Sequence, residues 1–127
     1  MQKIKLLLVD DEKDFLTVYA RRFVRRNADI TIASSGQEAI DKIRVIDFDV
    51  VILDVMMPEM NGIETLRRIK AIKPNLPVII LTGHANSQTM IEGMDIGAFD
   101  FLLKPVGTDE LYFKVLDAVR SRHRTQV

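Results

Sequence analysis

The feature of this sequence that most restricts its fold is a set of short, continuous apolar runs. Three runs cover residues 6–9, 50–53 and 78–81, and each is bounded by polar or turn-forming residues. Such runs are too short for an ordinary helix, and their uninterrupted apolarity indicates that both faces of the segment are covered. They predict three interior strands of a parallel sheet.

Two weaker runs flank these in the chain. Residues 30–34 alternate between apolar and polar side chains, and residues 99–103 carry an acid, Asp100, inside an apolar segment. Mixed runs of this kind are typical of strands that are less completely covered. We expect the second and fifth strands to lie nearer the edges of the sheet, with the first, third and fourth inside.

Helical patterns separate the runs. Ser35 followed by Glu38 forms a capping box at the predicted start of the second helix. Apolar stripes at helical spacing comprise Phe15, Tyr19 and Phe23; Ala39, Ile40 and Ile43; Ile63, Leu66 and Ile69; Met90, Ile91 and Met94; and Leu111, Val115 and Val119. Strand and helix alternate five times, which predicts an α/β fold: a doubly wound (βα)5 sandwich, flavodoxin-like, with a parallel sheet of order 2-1-3-4-5.

Composition excludes several classes of protein. The chain has 127 residues, 18 Lys+Arg and 18 Asp+Glu, so its net charge is zero, and it has no Cys. This length suits one domain, the absence of Cys excludes disulfides, and a neutral charge gives no support for nucleic-acid contact. Neither a signal peptide nor an apolar run of about 18 residues is present. We expect a cytoplasmic protein without membrane contact.

Polar side chains fall where the predicted strands end. Asp10 and Asp11 follow the first strand, Asp54 ends the third, Thr82 the fourth and Lys104 the fifth. In an open parallel sheet these ends share one edge, where ligands bind near the switch in strand order. The sequence therefore predicts one cleft that holds all three carboxylates.

This set of residues indicates phosphoryl chemistry. Neighbouring carboxylates repel one another and take up protons unless a cation compensates them, and all-oxygen sites select Mg²⁺ or Mn²⁺. With the metal and Lys104 present, the cleft could accept a dianionic phosphoryl group, and Thr82 would offer a hydroxyl donor. Asp54 would be the nucleophile and would form an acyl phosphate.

The sequence resembles the receiver domains of bacterial two-component response regulators, the superfamily that includes the chemotaxis regulator. The resemblance rests on four stretches in the family's order: LVDDE at residues 8–12, DVMMP at 54–58 with Asn61-Gly62, LTG at 81–83 and LKP at 103–105. Together they spread over nearly the whole chain.

The resemblance implies a role for each site residue. Asp54 matches the phosphoacceptor, and Asp10 and Asp11 match the metal-binding acids, with Asp11 a direct ligand and Asp10 acting partly through water. Met56 would give the ion only its backbone carbonyl. Thr82 matches the hydroxyl that bonds the phosphoryl group.

The remaining implied roles concern charge, switching and rate. Lys104 matches the family's site lysine, and its bond to Pro105 resembles the family's cis peptide. Phe101 occupies the position of the switch aromatic, without the hydroxyl of a tyrosine. Met56 and His84 lie at rim positions where we expect side chains to tune dephosphorylation.

The resemblance also implies partners and limits. A histidine kinase or its phosphotransfer domain would donate to Asp54, and a downstream output domain or protein would respond; the domain would catalyse only its own modification. Residues 1–122 would form the receiver domain, and residues 123–127 a tail or the start of a linker to an absent output domain. A homodimer through the fourth and fifth helices is an option in this family.

Several alternative functions and roles are consistent with parts of the sequence. A Mg²⁺-dependent aspartyl phosphatase would need a second Asp two residues after the nucleophile, where this chain has Met56. A flavodoxin-like cofactor binder would need a first loop that accepts phosphate, which the acids at residues 10–12 would repel. Asp11 could instead cap the first helix.

Two further features have competing interpretations. Arginines cluster near the ends of the first and last predicted helices; they are Arg21, Arg22, Arg25, Arg26, Arg120, Arg122 and Arg124. We interpret both clusters as solvent-exposed helix faces. The first cluster is also a candidate surface for binding a partner protein. Met90 and Met94 are predicted to pack on the sheet. Gly93 could loosen this helix, since glycine costs about 1 kcal/mol relative to alanine.

Overall fold

A computed structural model describes residues 3–55, 61–83 and 87–125 of the chain. Its strands are β1 (Ile4–Val9), β2 (Ala28–Ala33), β3 (Val50–Leu53), β4 (Val78–Thr82) and β5 (Asp100–Leu103). All are parallel and form one sheet in the order β2-β1-β3-β4-β5. The predicted α/β architecture, strand order and edge positions of the second and fifth strands are confirmed.

Helices follow each strand in turn. They are α1 (Lys13–Val24), α2 (Gly36–Val45), α3 (Gly62–Ile72), α4 (Ser87–Ile96) and α5 (Thr108–Thr125). The predicted boundary between residues 122 and 123 therefore lies inside α5. Whether residues 123–127 lead to a further domain stays a prediction.

Two apolar layers cover the two faces of the sheet. Successive strand residues point to opposite faces, so Leu7 and Val9 pack with α2 and α3, whereas Leu6 and Leu8 pack with α1 and α5. All four are at most 1% exposed. This double burial explains why the interior strands read as uninterrupted apolar runs.

The predicted cap of α2 is confirmed, with a difference in one partner. The Ser35 hydroxyl accepts from the Glu38 N–H at 3.1 Å. The Glu38 carboxylate bonds the N–H and hydroxyl of Ser34, where a full capping box would have it return to Ser35. Helix α2 therefore begins where the sequence predicts it.

Gly93 brings α4 close to the sheet. It is buried, and a Cβ added there would lie 2.4 Å from Cδ1 of Ile80 on β4. Met94 is 40% exposed, so its predicted packing on the sheet is wrong, while Met90 is half-buried. The glycine in this helix is thus a point of close approach, and the methionines are not the main contact.

Within the described residues, no helix combines the length and the apolarity that crossing a membrane requires.

Candidate functional site

Neighbouring strand ends position the polar residues of the site. The Asp54 N–H donates to the Val9 carbonyl at 3.0 Å, and the Lys104 N–H donates to the Thr82 carbonyl at 2.8 Å. These backbone bonds fix the residues that leave β3 and β5 beside the ends of β1 and β4. The ends of these four neighbouring strands therefore meet at the carboxyl edge of the sheet.

The Lys104 ammonium lies among three carboxylates. Its Nζ is 2.6 Å from Asp10 Oδ2, 3.6 Å from Asp54 Oδ2 and 3.6 Å from Glu12 Oε1. It also lies 4.1 Å from the centre of the Phe15 ring, in cation–π range. Asp10 and Asp54 are buried, whereas Glu12 is exposed.

Burial and neighbouring charges shift the pKa values of Asp10 and Lys104. Burial, with a smaller contribution from the Asp54 charge, raises the pKa of Asp10 from 3.8 to about 6, although hydrogen bonds from Lys104 and the Glu12 N–H oppose the rise. For Lys104, burial alone would lower the pKa, but the hydrogen bond to Asp10 and the nearby carboxylate charges raise it. The single positive charge of Lys104 therefore balances only part of the negative charge of the three carboxylates. The remaining negative charge favours the binding of an additional cation.

The donor set fits a hard divalent metal. One carboxylate oxygen each from Asp10, Glu12 and Asp54 lies within 4.8 Å of the others. Carboxylate oxygens are the ligands that Mg²⁺ and Mn²⁺ prefer. Met56, predicted to give a backbone carbonyl, lies outside the described residues.

Glu12 takes the place in the carboxylate cluster that the sequence predicted for Asp11. Asp11 is exposed and is not a member of the three-carboxylate cluster, and its predicted role as a direct ligand stays a prediction. It does not cap α1 either, because the N-cap is Glu12, whose N–H donates to Asp10 Oδ1 at 2.9 Å. The run of acids at residues 10–12 was the available signal, but which acid turns inward depends on where the helix begins.

Of the other predicted site residues, some belong to the described part of the chain and two do not. Thr82 is buried at the end of β4, and Phe101 is half-buried on β5 against the core layer that α3 covers. The Lys104–Pro105 peptide bond is cis, as the resemblance implied. His84 and Met56, the predicted rate-tuning positions, both lie outside the described residues.

Two supporting contacts were not visible in the sequence pattern. The Tyr19 hydroxyl on α1 donates to the Val106 carbonyl at 2.5 Å and so ties α1 to the loop after Lys104. At the start of α3, a Cβ on Gly62 would lie 2.1 Å from the Cα of Val55, the residue after Asp54. Only glycine permits this approach beside Asp54.

Comparison with known proteins identifies the family. The sequence profile of the response regulator receiver domain matches residues 6–116, which is most of the chain. This protein belongs to the response regulator receiver domain family. The receiver domain is the signal-accepting module of two-component systems.

Similar proteins have been described in several organisms. The transcriptional regulatory protein ZraR of Escherichia coli (strain K12) is 36% identical over 120 residues, which cover 94% of this chain and 27% of ZraR. The regulatory protein LuxO of Vibrio vulnificus is 34% identical over 113 residues, covering 89% of this chain and 25% of LuxO. This receiver domain therefore spans about a quarter of the length of these curated relatives.

Solved structures show the same fold. A receiver domain protein from Clostridium thermocellum superposes with a TM-score of 0.90 at 34% identity and covers 96% of this chain and 98% of its own. A CheY-like receiver domain protein from Methanospirillum hungatei JF-1 reaches a TM-score of 0.94 at 23% identity, covering 98% and 99%. At that lower identity the likeness concerns the fold alone.

Proposed function

We propose that this receiver domain accepts a phosphoryl group on Asp54 from the phosphohistidine of a kinase or phosphotransfer domain. The observation that carries the proposal is the position of Asp54. Its buried carboxylate ends a central strand, 3.6 Å from the Lys104 ammonium and within reach of two further acids. A nucleophile, a cation and a metal-type donor set thus share one edge of the sheet.

The transfer step uses few groups of the protein. An Asp54 carboxylate oxygen attacks phosphorus, the P–N bond of phosphohistidine breaks, and the histidine nitrogen leaves with the electron pair and takes a proton. Lys104 offsets charge on the phosphoryl oxygens and the Thr82 hydroxyl donates to one of them. The domain modifies itself and does not turn over a substrate.

The proposed cofactor is Mg²⁺, with Mn²⁺ as a substitute. Asp10, Glu12 and Asp54 would hold it, with the predicted contributions of Asp11 and the Met56 carbonyl added. When bound, it supplies positive charge that stabilises the transferring phosphoryl group. Asp10 supports this role, because burial raises the pKa of its carboxyl group and a bound cation would stabilise the ionised form.

Phosphorylation would act through a change in conformation. The Lys104–Asp10 contact of 2.6 Å must loosen if Lys104 is to bond an incoming phosphoryl oxygen. Thr82 and Phe101 lie on adjacent strands β4 and β5, so a shift of the hydroxyl toward the phosphoryl group would alter the space beside the ring. This change would control a downstream output domain or protein, and a cytoplasmic location without direct nucleic-acid contact is part of the proposal.

The test is intact-mass analysis after incubation with acetyl phosphate, with and without Mg²⁺. We expect one alkali-labile phosphoryl adduct that requires the metal and is lost in Asp54→Asn. Asp29→Asn is the matched control, because Asp29 is an exposed aspartate on β2. An adduct that persists in Asp54→Asn, or none in the parent protein, would overturn the assignment.

The same sample tests the phosphatase alternative. A stoichiometric adduct without repeated release of inorganic phosphate from p-nitrophenyl phosphate supports the switch, whereas sustained turnover supports the phosphatase.

Acyl-phosphate lifetimes in variants of Met56 and His84 test the predicted tuning of dephosphorylation. Unchanged lifetimes would remove these two residues from the proposal.

A further inference from the structure

A second group of charged residues lies at the opposite, amino edge of the sheet. Lys70 on α3 and Arg122 on α5 line a cavity of about 170 Å³, beside residues that directly precede strands, Pro77 before β4 and Phe99 before β5. The carboxylate site lies beyond the other ends of these strands. This cavity is thus separate from the proposed phosphorylation chemistry.

Arg122 is not the solvated side chain that the sequence predicted. Its side chain is only 17% exposed. One Nη donates to the Phe48 carbonyl at 2.7 Å, while its Nε is buried and has no hydrogen-bond partner among the described residues. A buried donor without a partner is costly, and a negative charge placed beside the guanidinium would offset part of that cost.

Lys70 adds a second positive charge to the same cavity. Its ammonium donates one of its three N–H groups to the Leu76 carbonyl at 3.0 Å. Burial and then the positive charge of Arg122 lower the pKa of Lys70. Two cations therefore destabilise each other across a space that they both line.

The acid nearest to Arg122 compensates this charge poorly. Asp47 Oδ1 lies 3.9 Å from an Arg122 Nη, and the Asp47 side chain is 80% exposed. A long, solvent-exposed ion pair of this kind contributes little. Among the described residues, no other ion pair of Arg122 and none of Lys70 is present.

We propose that the cavity between Lys70 and Arg122 binds a small tetrahedral oxyanion, such as inorganic phosphate. One ligand oxygen would accept from the Arg122 guanidinium and another from the Lys70 ammonium. The cavity of about 170 Å³ has room for an ion of the size of phosphate. Gly97, with φ +121°, packs against the Lys70 stem, so its amide reports on the site.

The test is an NMR titration of the ¹⁵N-labelled protein with sodium phosphate in EDTA, compared with sodium chloride at equal ionic strength. We expect saturable shifts of the Arg122 Nε–H and Gly97 amide signals with phosphate and sulfate, and smaller ones with planar acetate. Shifts that follow chloride equally, or that saturate only around Asp54, would overturn the proposal.

Variants separate the site from general charge effects. Lys70→Gln keeps a donor for the Leu76 carbonyl but removes the charge, and should raise the dissociation constant about tenfold. Arg120→Gln removes an exposed arginine from the same helix as Arg122 and should leave binding unchanged. Folded Arg122→Gln should lose saturation; if that variant unfolds, Lys70→Gln decides, and unchanged binding there contradicts the inference.

Discussion

At the scale of single residues, the site is organised around one ammonium group. Lys104 contacts Asp10, Asp54 and Glu12, and its ammonium also lies over the Phe15 ring. Three acids and one cation leave negative charge in a largely buried space. That excess is useful to a protein that must attract a metal, and it reduces the stability of the metal-free fold.

Asp10 should make the stability of the metal-free protein depend on pH. Its pKa is about 6 when folded and near 3.8 when unfolded, so the folded state binds this proton more tightly. The contribution of Asp10 is favourable at low pH and is lost as pH rises from about 4 through 6, by up to about 3 kcal/mol. Urea unfolding in EDTA at several pH values measures the effect.

Asp10→Asn provides the comparison. The amide keeps an acceptor for the Glu12 N–H but cannot ionise, so this variant should be more stable than the parent at pH 7.5 and the gain should vanish near pH 4. Saturating Mg²⁺ should recover stability in the parent protein. A stability difference between parent and variant that is independent of pH would contradict this prediction.

Tyr19 should matter through its hydroxyl. Tyr19→Phe leaves the buried Val106 carbonyl without its donor and should lower the free energy of unfolding by about 1–2 kcal/mol. Because this bond holds the loop after Lys104, phosphorylation by acetyl phosphate should also slow. Tyr112→Phe is the matched control, since the Tyr112 ring packs on Phe23 and keeps that contact. Equal effects of both variants would show that the hydroxyl of Tyr19 has no special role.

At the scale of elements, α4 shows how packing can reverse a local preference. Helix propensity alone predicts that Gly93→Ala stabilises the protein by about 1 kcal/mol. The structure predicts the opposite, because the new Cβ would lie 2.4 Å from Ile80 Cδ1 in a filled core. We expect a loss of about 1–3 kcal/mol in urea unfolding.

A second substitution isolates the cause. Ile80→Val removes the Cδ1 atom and costs about 0.5–1.5 kcal/mol by itself. In the Gly93→Ala background it should cost less or increase stability, which a double-mutant cycle measures. Additive effects, or a stabilising Gly93→Ala, would show that α4 is not held by this contact.

At the scale of the whole molecule, exposed apolar side chains are unevenly distributed over the surface of a chain that has no net charge. Large apolar side chains are exposed on the consecutive elements α4, β5 and α5; they are Ile91, Met94, Leu103 and Phe113. Exposed apolar side chains favour association when they form one continuous patch. They lie on the helices predicted for a homodimer, with β5 between them.

Self-association should follow phosphorylation if this face forms the dimer. Sedimentation of the protein with acetyl phosphate and Mg²⁺ should show a dimer that Ile91→Glu prevents. Val45→Glu is the control, because Val45 is 80% exposed on α2. A phosphorylated protein that stays monomeric, or a dimer lost equally in both variants, would rule out this face.

The sequence by itself determined the sheet and the place of the candidate site. Continuous apolar runs such as residues 50–53 predict strands buried on both faces, and strand ends bring Asp10, Asp54 and Lys104 to one edge. These conclusions depend on periodicity and chain order, which are local properties that a sequence carries directly.

Only the tertiary structure decided which side chains meet. Glu12 joins the carboxylates and Asp11 does not, because the turn into α1 sets the direction of each side chain. Tyr19 reaches Val106 across 87 positions of the chain, and Arg122 is buried where its neighbours suggested a solvated face. Such contacts depend on the distances between packed elements, and no local pattern of residues records those distances.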